Sequence, residues 1–200
     1  MFDLRTFLVK ERVGLLKLTD TYDIFDPATN AQVAIAREEI PAFMKILRLL
    51  VNKQFLPTTV NIYEGTENDH PVSPAISIRR GPIFFRARVE VRGSEGNMIG
   101  YFKKKFFSLG GAFMVFNPQD EQIAEIKGDW KGWNFKITLT DGQEIGVVAK
   151  KWAGLAKEFF TSADNYVITL TNGVDAKPGL VMLLLAAGIA IDTVFKEGNG

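Results

Sequence analysis

Two neighbouring segments, residues 83–92 and 97–105, carry polar side chains at alternate positions, a spacing that gathers them on one face of a β-sheet. Five cations and one aromatic ring form this set: Arg86, Arg88, Arg92, Tyr101, Lys103 and Lys105. Guanidinium and ammonium groups bind anions through charge-assisted hydrogen bonds, and phosphate supplies strong acceptors. The spacing therefore indicates a site for anionic head groups. The alternative is a solvated face whose charge is relieved by Glu90 and Glu95.

The turn between the two segments predicts how they pair. The four-residue turn Gly93–Gly96 predicts a hairpin in which Arg88 lies opposite Tyr101. The same register places Arg86 opposite Lys103. The basic side chains would then point outward, and the apolar side chains between them would point inward.

The sequence offers no constellation for catalysis. His70 is the only histidine and there is no cysteine, and neither a dinucleotide fingerprint nor a P-loop is present. The carboxylates that a glycosidase-type pair would need are scattered over predicted hairpin ends and outer faces: Glu125, Asp129, Asp141 and Glu144. We therefore expect a non-enzymatic protein with neither a cofactor nor a metal site.

Composition limits the class of partner. The net charge is +1, so no whole-molecule field attracts nucleic acid, and any contact with an anionic membrane must come from a local patch. The absence of cysteine fits a reducing compartment, and residues 1–14 lack the apolar core of a signal peptide. We expect a cytoplasmic protein that meets a membrane peripherally, and we expect no nucleic-acid partner.

Alternating patterns bounded by turn signals predict the elements that hold these side chains. Twelve strands are predicted, at residues 5–10, 20–26, 31–37, 58–64, 75–80, 83–92, 97–105, 112–117, 121–127, 133–140, 143–149 and 165–171. So many strands would leave an open sheet with long edges, so we predict a mainly β fold closed into a barrel. One domain over residues 1–200 is expected.

A run of twelve uncharged residues, 180–191, predicts what fills the barrel. It is apolar on every side, which suits a helix without a water-facing surface. It is also shorter than the roughly 20 residues that cross a bilayer. We therefore predict a buried hydrophobic C-terminal α-helix inside the barrel. The alternative, a membrane-crossing segment of a lipid translocator, is opposed by that length and by Asp192, which follows the run at once.

A repeated residue pair supports this placement. In four predicted hairpins the second strand contains a β-branched residue followed by a small one: Val33-Ala34, Ile99-Gly100, Ile123-Ala124 and Ile145-Gly146. Strict alternation puts Ala124 on the inner face and Ile123 on the outer face. Small inward residues at four places would leave room for the helix, although chance recurrence of such common residues is the alternative.

Two short helices are predicted at residues 41–53 and 152–160. The first has an apolar stripe of Phe43, Ile46, Leu47 and Leu50, beside the cations Lys45, Arg48 and Lys53. Such a helix suits either a membrane surface or the mouth of a barrel.

Several segments resemble the phospholipid scramblase family: Lys151–Gly154, Glu158–Tyr166, Ile191–Phe195 and the hairpin from Tyr22–Ile24 to Arg37–Glu39. This family, with the plant LURP-one-related proteins, belongs to the tubby C-terminal-like superfamily. The resemblance implies a twelve-stranded barrel around a hydrophobic C-terminal helix. It also implies a scramblase-like protein that binds anionic phospholipid head groups or membrane surfaces. A protein-interaction or scaffold barrel with no lipid role is the alternative.

The resemblance also bears on calcium. Family members have an acidic segment proposed to bind Ca²⁺, and its position here begins at Ser162 and passes through Asp164. No further carboxylate follows before Asp175. Because Ca²⁺ prefers roughly six to eight oxygen ligands, usually several from carboxylates, we predict no specific Ca²⁺ site.

Overall fold

The computed structural model describes residues 1–12, 19–51, 56–69, 73–81, 88–104, 112–129, 132–150 and 165–195. Within these ranges, twelve antiparallel strands form a closed barrel in which each strand pairs with its neighbours in sequence, and β1 pairs with β12. The strands are β1 Thr6–Glu11, β2 Thr21–Asp26, β3 Ala31–Glu39, β4 Thr58–Glu64, β5 Ile76–Arg80, β6 Arg88–Gly93, β7 Met98–Lys104, β8 Ala112–Phe116, β9 Gln122–Asp129, β10 Asn134–Leu139, β11 Glu144–Ala149 and β12 Asn165–Leu170. The predicted twelve-stranded barrel is confirmed. A single domain over the whole chain stays a prediction.

The two ends of the barrel differ in their connections. One end, which we call the turn end, carries the tight hairpin turns, and there Asn30, Gly96, Asp120 and Gly142 adopt positive φ angles. Positive φ is the backbone conformation that Gly, Asn and Asp tolerate best, which is why these residues signal turns. The opposite end receives the longer connections, among them the one between β3 and β4 that contains a helix.

The helices lie at different places relative to the barrel. Helix α1 covers Ala42–Leu50, inside the predicted span 41–53, and we call its end of the barrel the α1 end. Helix α2 covers Pro178–Ala190 and continues as a π-helical segment over Ile191–Phe195, and a 3₁₀ turn covers Glu67–Asp69. The predicted helix at 152–160 lies outside the described residues.

Helix α2 fills the barrel. It follows β12 and enters from the turn end, with Pro178 at its first turn, where a missing N–H costs nothing. Nine of its residues are buried: Val181, Leu183, Leu184, Leu185, Ala186, Ala187, Gly188, Ile189 and Ala190. All of them except Gly188 belong to one core cluster with the inward side chains of the strands. The predicted hydrophobic helix inside the barrel is therefore confirmed.

Four hairpins carry a β-bulge, each at the residue before a small inward one. The pairing skips one residue within β2–β3, β6–β7, β8–β9 and β10–β11. The skipped residues are Val33, Ile99, Ile123 and Ile145, and the residues after them are Ala34, Gly100, Ala124 and Gly146. The repeated pair in the sequence therefore marks four bulges.

The small residues face α2, as predicted. A Cβ at Gly100 would lie 3.1 Å from a methyl carbon of Leu183, and one at Gly146 would lie 2.6 Å from a methyl carbon of Leu184. The predicted outward position of Ile123 was wrong, because its side chain packs against the core. A bulge interrupts the alternation of faces, so consecutive residues can both point toward the core.

Candidate functional site

The predicted basic set lies on strands β6 and β7. Arg88, Arg92, Tyr101 and Lys103 occupy their outer faces, while Val89, Val91 and Phe102 are buried in the core. We call the four outward residues the basic face. Arg86 and Lys105 lie outside the described residues.

The predicted register of this hairpin was wrong by two residues. Arg88 lies opposite Lys103, not Tyr101, and Glu90 lies opposite Tyr101. One residue of the shift arises at the turn, where the N–H of Gly93 donates to the carbonyl of Asn97 at 2.9 Å. The Ile99 bulge adds the second. Because the shift is even, Arg88, Arg92, Tyr101 and Lys103 keep the outer face that alternation assigned to them.

Glu90 partly neutralises the basic face. Arg88 Nε donates to Glu90 Oε1 at 2.8 Å, and Arg92 Nη2 donates to Glu90 Oε2 at 2.9 Å. Partial burial alone would raise the pKa of the Glu90 carboxyl. The hydrogen bonds from Arg92 and Arg88 outweigh it and hold that pKa below its usual value. The alternative prediction from the sequence is a face whose positive charge is relieved by Glu90 and Glu95. For Arg88 and Arg92, Glu90 provides that relief.

Lys103 is placed differently. Its Nζ lies 5.0 Å from the centre of the Tyr101 ring and 4.7 Å from the centre of the Phe116 ring, and these rings are stacked 4.9 Å apart. Arg88 also lies over Tyr101, at 5.2 Å. Aromatic faces attract cations without neutralising their charge. Within the described ranges Lys103 has no carboxylate within ion-pair distance.

Tyr101 supports the basic face instead of projecting from it. It is an outward residue by position, yet its side chain is buried under Arg88, Lys103 and Phe116. Its hydroxyl donates to Asp120 Oδ1 at 2.9 Å. The Tyr101 ring therefore serves as a platform that positions cations, and its hydroxyl is already occupied.

Two exposed cations beside the basic face were missing from the sequence prediction. Arg79 lies on the outer face of β5, directly opposite Glu90, and Lys104 is exposed at the end of β7. Alternation along β5 was the signal that would have found Arg79, because it shares the outer face with Ser77. Arg79 extends the positive surface, whereas Lys104 lies opposite the buried Phe113, on the inward side of β7 at the rim of the barrel.

A second polar cluster lies inside the barrel at the α1 end. Arg48 of α1 donates to both carboxylate oxygens of Glu38, with 2.9 Å between Nη1 and Oε2. Both side chains are nearly inaccessible, and Glu38 shares the inner face of the wall with Val60. Arg80 is buried nearby and donates to the Leu56 carbonyl oxygen at 3.0 Å.

The end of α2 adds a buried acid to this interior. Asp192 is buried, and burial followed by the negative charge of Asp192 raises the pKa of the Tyr22 phenol well above its usual value. The same two causes raise the pKa of the Tyr166 phenol.

The interior has little free space: a hollow lined by apolar side chains, among them Ile123 and Leu184, has a volume of about 30 Å³.

The described ranges also bear on metal binding and on membrane crossing. There, no group of three or more His, Asp or Glu side chains is placed to hold a metal ion. Ser162 and Asp164, the positions that bear on calcium, lie outside those ranges. In the part of the chain that the structure describes, no helix combines the length and the apolar character needed to cross a membrane.

The family model named Scramblase matches residues 80–198, more than half of the chain. The chain belongs to the scramblase family. The matched part begins at the end of β5 and contains β6 to β12, the basic face and α2. The recognition from sequence motifs is therefore confirmed.

Curated relatives agree with this assignment. The chain is 30% identical to human phospholipid scramblase 2 over 116 residues, which is 54% of this chain and 38% of that protein. It is 29% identical to human phospholipid scramblase 1 over 119 residues, or 56% of this chain and 37% of that protein. A phospholipid scramblase family protein of Schizosaccharomyces pombe is 32% identical over 89 residues, 42% of this chain and 23% of that protein. The chain thus spans less than two fifths of these relatives. No solved structure gives a significant match.

Proposed function

We propose that this scramblase-family barrel is a non-enzymatic protein that binds anionic phospholipid head groups at a membrane surface. Binding is peripheral and takes place on the basic face, through Lys103 and Arg88, with Arg92 beside them. Arg86 and Lys105 are proposed to extend the same face. The proposal places the protein in the cytoplasm, on the inner side of a membrane, where anionic lipids are concentrated.

The arrangement of Lys103 is the observation that carries this proposal. Its ammonium group is held over two rings by cation–π contacts, which leave its charge available to an incoming phosphate. Arg88 lies directly across the strand pair, so one phosphate group can contact both side chains. Because the ring platform is itself packed and bonded to Asp120, the two cations are positioned before a ligand arrives.

The packing of the barrel favours the outer surface as the lipid site. An interior hollow of about 30 Å³ is far too small for an acyl chain, and α2 occupies the space where such a chain would lie. A head group on the outer face displaces no packed side chain. Surface binding by a handful of cations is weak and sensitive to salt, which suits reversible attachment.

Vesicle sedimentation tests the proposal. The protein is mixed with vesicles of equimolar phosphatidylcholine and phosphatidylserine, and separately with vesicles of phosphatidylcholine alone. We expect binding to the anionic vesicles that weakens as salt is raised. The double variant Arg88→Glu/Lys103→Glu should lower that binding about 30-fold or more, since each surface cation contributes about 1 kcal/mol. The milder Lys103→Gln should lower it about fivefold.

The matched control reverses two cations elsewhere. Lys136 and Lys177 are 62% and 78% exposed and lie on other elements, so Lys136→Glu/Lys177→Glu makes the same change in net charge. Equal losses for the two double variants would mean that only net charge matters and would refute the site. Absence of binding to anionic vesicles would refute the lipid role and favour the scaffold alternative. Circular dichroism checks that each variant is folded.

A further inference from the structure

Helix α1 presents its apolar side to solvent. Phe43, Ile46, Leu49 and Leu50 are 65%, 66%, 72% and 81% exposed, and they lie next to one another on the helix surface. They are, with Val51, the large apolar side chains that stand out as exposed in the described ranges. Contiguous exposed apolar surface of this kind marks a binding site more often than chance.

A buried ion pair fixes this unusual orientation. Arg48 reaches from the opposite side of α1 into the barrel and bonds both oxygens of Glu38, and the two side chains are 3% and 0% exposed. Met44 lies on the same side of the helix as Arg48, and Leu47 lies at the edge of the apolar stripe; both are only partly exposed. An amphipathic helix in a soluble domain ordinarily turns its apolar stripe inward. Here a charged residue, Arg48, makes the buried contact with the barrel, and the apolar stripe faces outward.

The surroundings of this helix are suited to an anionic surface. Residues 40–63 contain no Asp or Glu, while Lys45 lies exposed on α1 itself. Glu39 precedes this stretch, and its carboxylate accepts hydrogen bonds from Asn61 Nδ2 and Tyr63 Oη. Glu39 is thus the acid that borders this stretch, and α1 itself carries no acidic side chain that would oppose contact with a negatively charged surface.

The helix is continuous with the basic face. The strand registers align Glu39, Thr59, Arg79 and Glu90 in one outward row across β3 to β6. Three strand spacings separate the start of α1 from Arg88 and Arg92, a distance of about 14 Å along the wall. A surface hollow of about 480 Å³, lined by Pro41 and Arg79 among others, lies between them. The start of α1 and the basic face are therefore neighbouring regions of the barrel surface, a quarter of its circumference apart.

Other occupants fit less well. A nine-residue helix is about 13 Å long, so one face of it falls short of the roughly 800 Å² that each partner buries in a stable protein–protein interface. A second copy of the chain docked on the same face would bring two Lys45 side chains together. A bilayer has no minimum area of contact, and its surface takes the apolar side of a helix and the flanking cations at once.

We infer that α1 lies in the plane of an anionic membrane and inserts Phe43, Ile46 and Leu50 among the acyl chains, beside head groups held by the basic face. This inference rests on the proposed lipid-binding function and names the element that adds apolar anchoring to it. The Arg48–Glu38 pair holds the helix in the inserting orientation.

A single introduced cysteine tests the inference directly, because the chain has none of its own. Ile46→Cys is labelled with an environment-sensitive fluorophore and mixed with vesicles of equimolar phosphatidylcholine and phosphatidylserine. We expect a blue shift, a rise in intensity, and quenching by lipids that carry a nitroxide on the acyl chain. Lys177→Cys, labelled in the same way outside α1, is the control and should stay in water. The unlabelled double variant Phe43→Ser/Leu50→Ser should bind the vesicles about tenfold less or weaker still.

The outcomes separate this inference from the proposed function. Sedimentation with the vesicles while the label on residue 46 stays in water would overturn insertion and leave the basic face as the lipid site. No sedimentation at all would refute the proposed function. A blue shift that grows with protein concentration in the absence of vesicles, lost in Phe43→Ser/Leu50→Ser, would show that a second copy covers α1 and would also overturn the inference.

Discussion

At the scale of single residues, the cations of the basic face differ in how available they are. Arg92 donates through Nη1 to the Gly96 carbonyl at 3.1 Å and through Nη2 to Glu90, so its guanidinium is largely occupied. Arg88 shares the same carboxylate through Nε. Lys103 keeps its charge over aromatic rings. Glu90 therefore sets how much positive charge the two arginines offer to a ligand.

Removing the charge of Glu90 should strengthen lipid binding. In Glu90→Gln the two arginines lose their common anion, and the face gains one unit of positive charge. We expect about fivefold tighter binding to phosphatidylserine-containing vesicles, measured by sedimentation, because one surface charge contributes about 1 kcal/mol. Binding weaker than that of the wild type would mean that Glu90 holds the arginines in the binding geometry.

The same change costs stability only above acidic pH. The pKa of Glu90 is lower in the folded chain than its usual value of 4.5, so its ion pairs contribute stability at pH values above 4.5. That contribution disappears as the pH falls through the lowered pKa. Glu90→Gln should therefore melt at a lower temperature than the wild type at neutral pH, and the difference should vanish in acid.

At the scale of elements, alternation and turn chemistry sufficed to predict the strands. Each of the twelve predicted strands has its counterpart, because apolar and polar residues alternate clearly and residues such as Asp141-Gly142 mark where a strand must end. The bulges could not be predicted in the same way. A bulge at Ile99 changes which residues face each other across β6 and β7, but it leaves a sequence of ordinary strand formers.

The candidate site, too, could be predicted from the sequence only in part. Which side chains point outward on β6 and β7 follows from their two-residue period, so Arg88, Arg92 and Lys103 were assigned correctly to the outer face. Their neighbours depend on strands that are distant in sequence. The Tyr101–Phe116 stack joins β7 to β8, and Arg79 comes from β5. The orientation of α1 could not be predicted from the sequence either, because it depends on the ion pair that Arg48 forms with Glu38 inside the barrel.

The two glycines behind the bulges, Gly100 and Gly146, leave no room for an added methyl group. At Gly100 a Cβ would lie 2.5 Å from the Phe116 carbonyl oxygen, which belongs to backbone and cannot move aside. We expect Gly100→Ala to lower the free energy of unfolding by about 1–3 kcal/mol, measured by denaturant titration. Gly179→Ala is the control, because nothing lies within 4 Å of its Cβ and alanine favours helix. It should raise stability by about 0.5–1 kcal/mol.

At the scale of the whole molecule, the barrel depends on its central helix. Leu184 lies in the core cluster and is 3% exposed. Leu184→Asp would bury an unpaired carboxylate there, which costs several kcal/mol. That cost is comparable to the whole free energy of unfolding of an ordinary domain, about 5–15 kcal/mol. We expect insoluble or unfolded protein, assessed by solubility and far-ultraviolet circular dichroism. Lys177→Asp, which adds a carboxylate just before the helix, should stay folded. A folded Leu184→Asp variant would contradict the role given to α2.

Alkaline titration should report on the same interior. Burial and the charge of Asp192 raise the pKa of the Tyr22 and Tyr166 phenols well above 10.0, the usual value. The folded chain therefore holds these protons more tightly than the unfolded chain, so stability is unaffected below about pH 10 and falls as the pH rises beyond it. Absorbance of the phenolates should show Tyr22 and Tyr166 ionising only together with the loss of circular dichroism.

The position of α2 after all twelve strands has a consequence for biosynthesis. A growing chain holds every strand before the segment that must occupy the centre has left the ribosome. Closure also joins Thr6 to Thr169, 163 positions apart, and such distant pairing forms slowly. We therefore expect newly made protein to pass through a stage in which inner apolar faces are formed but unfilled, and exposed apolar surface of that kind is prone to aggregate.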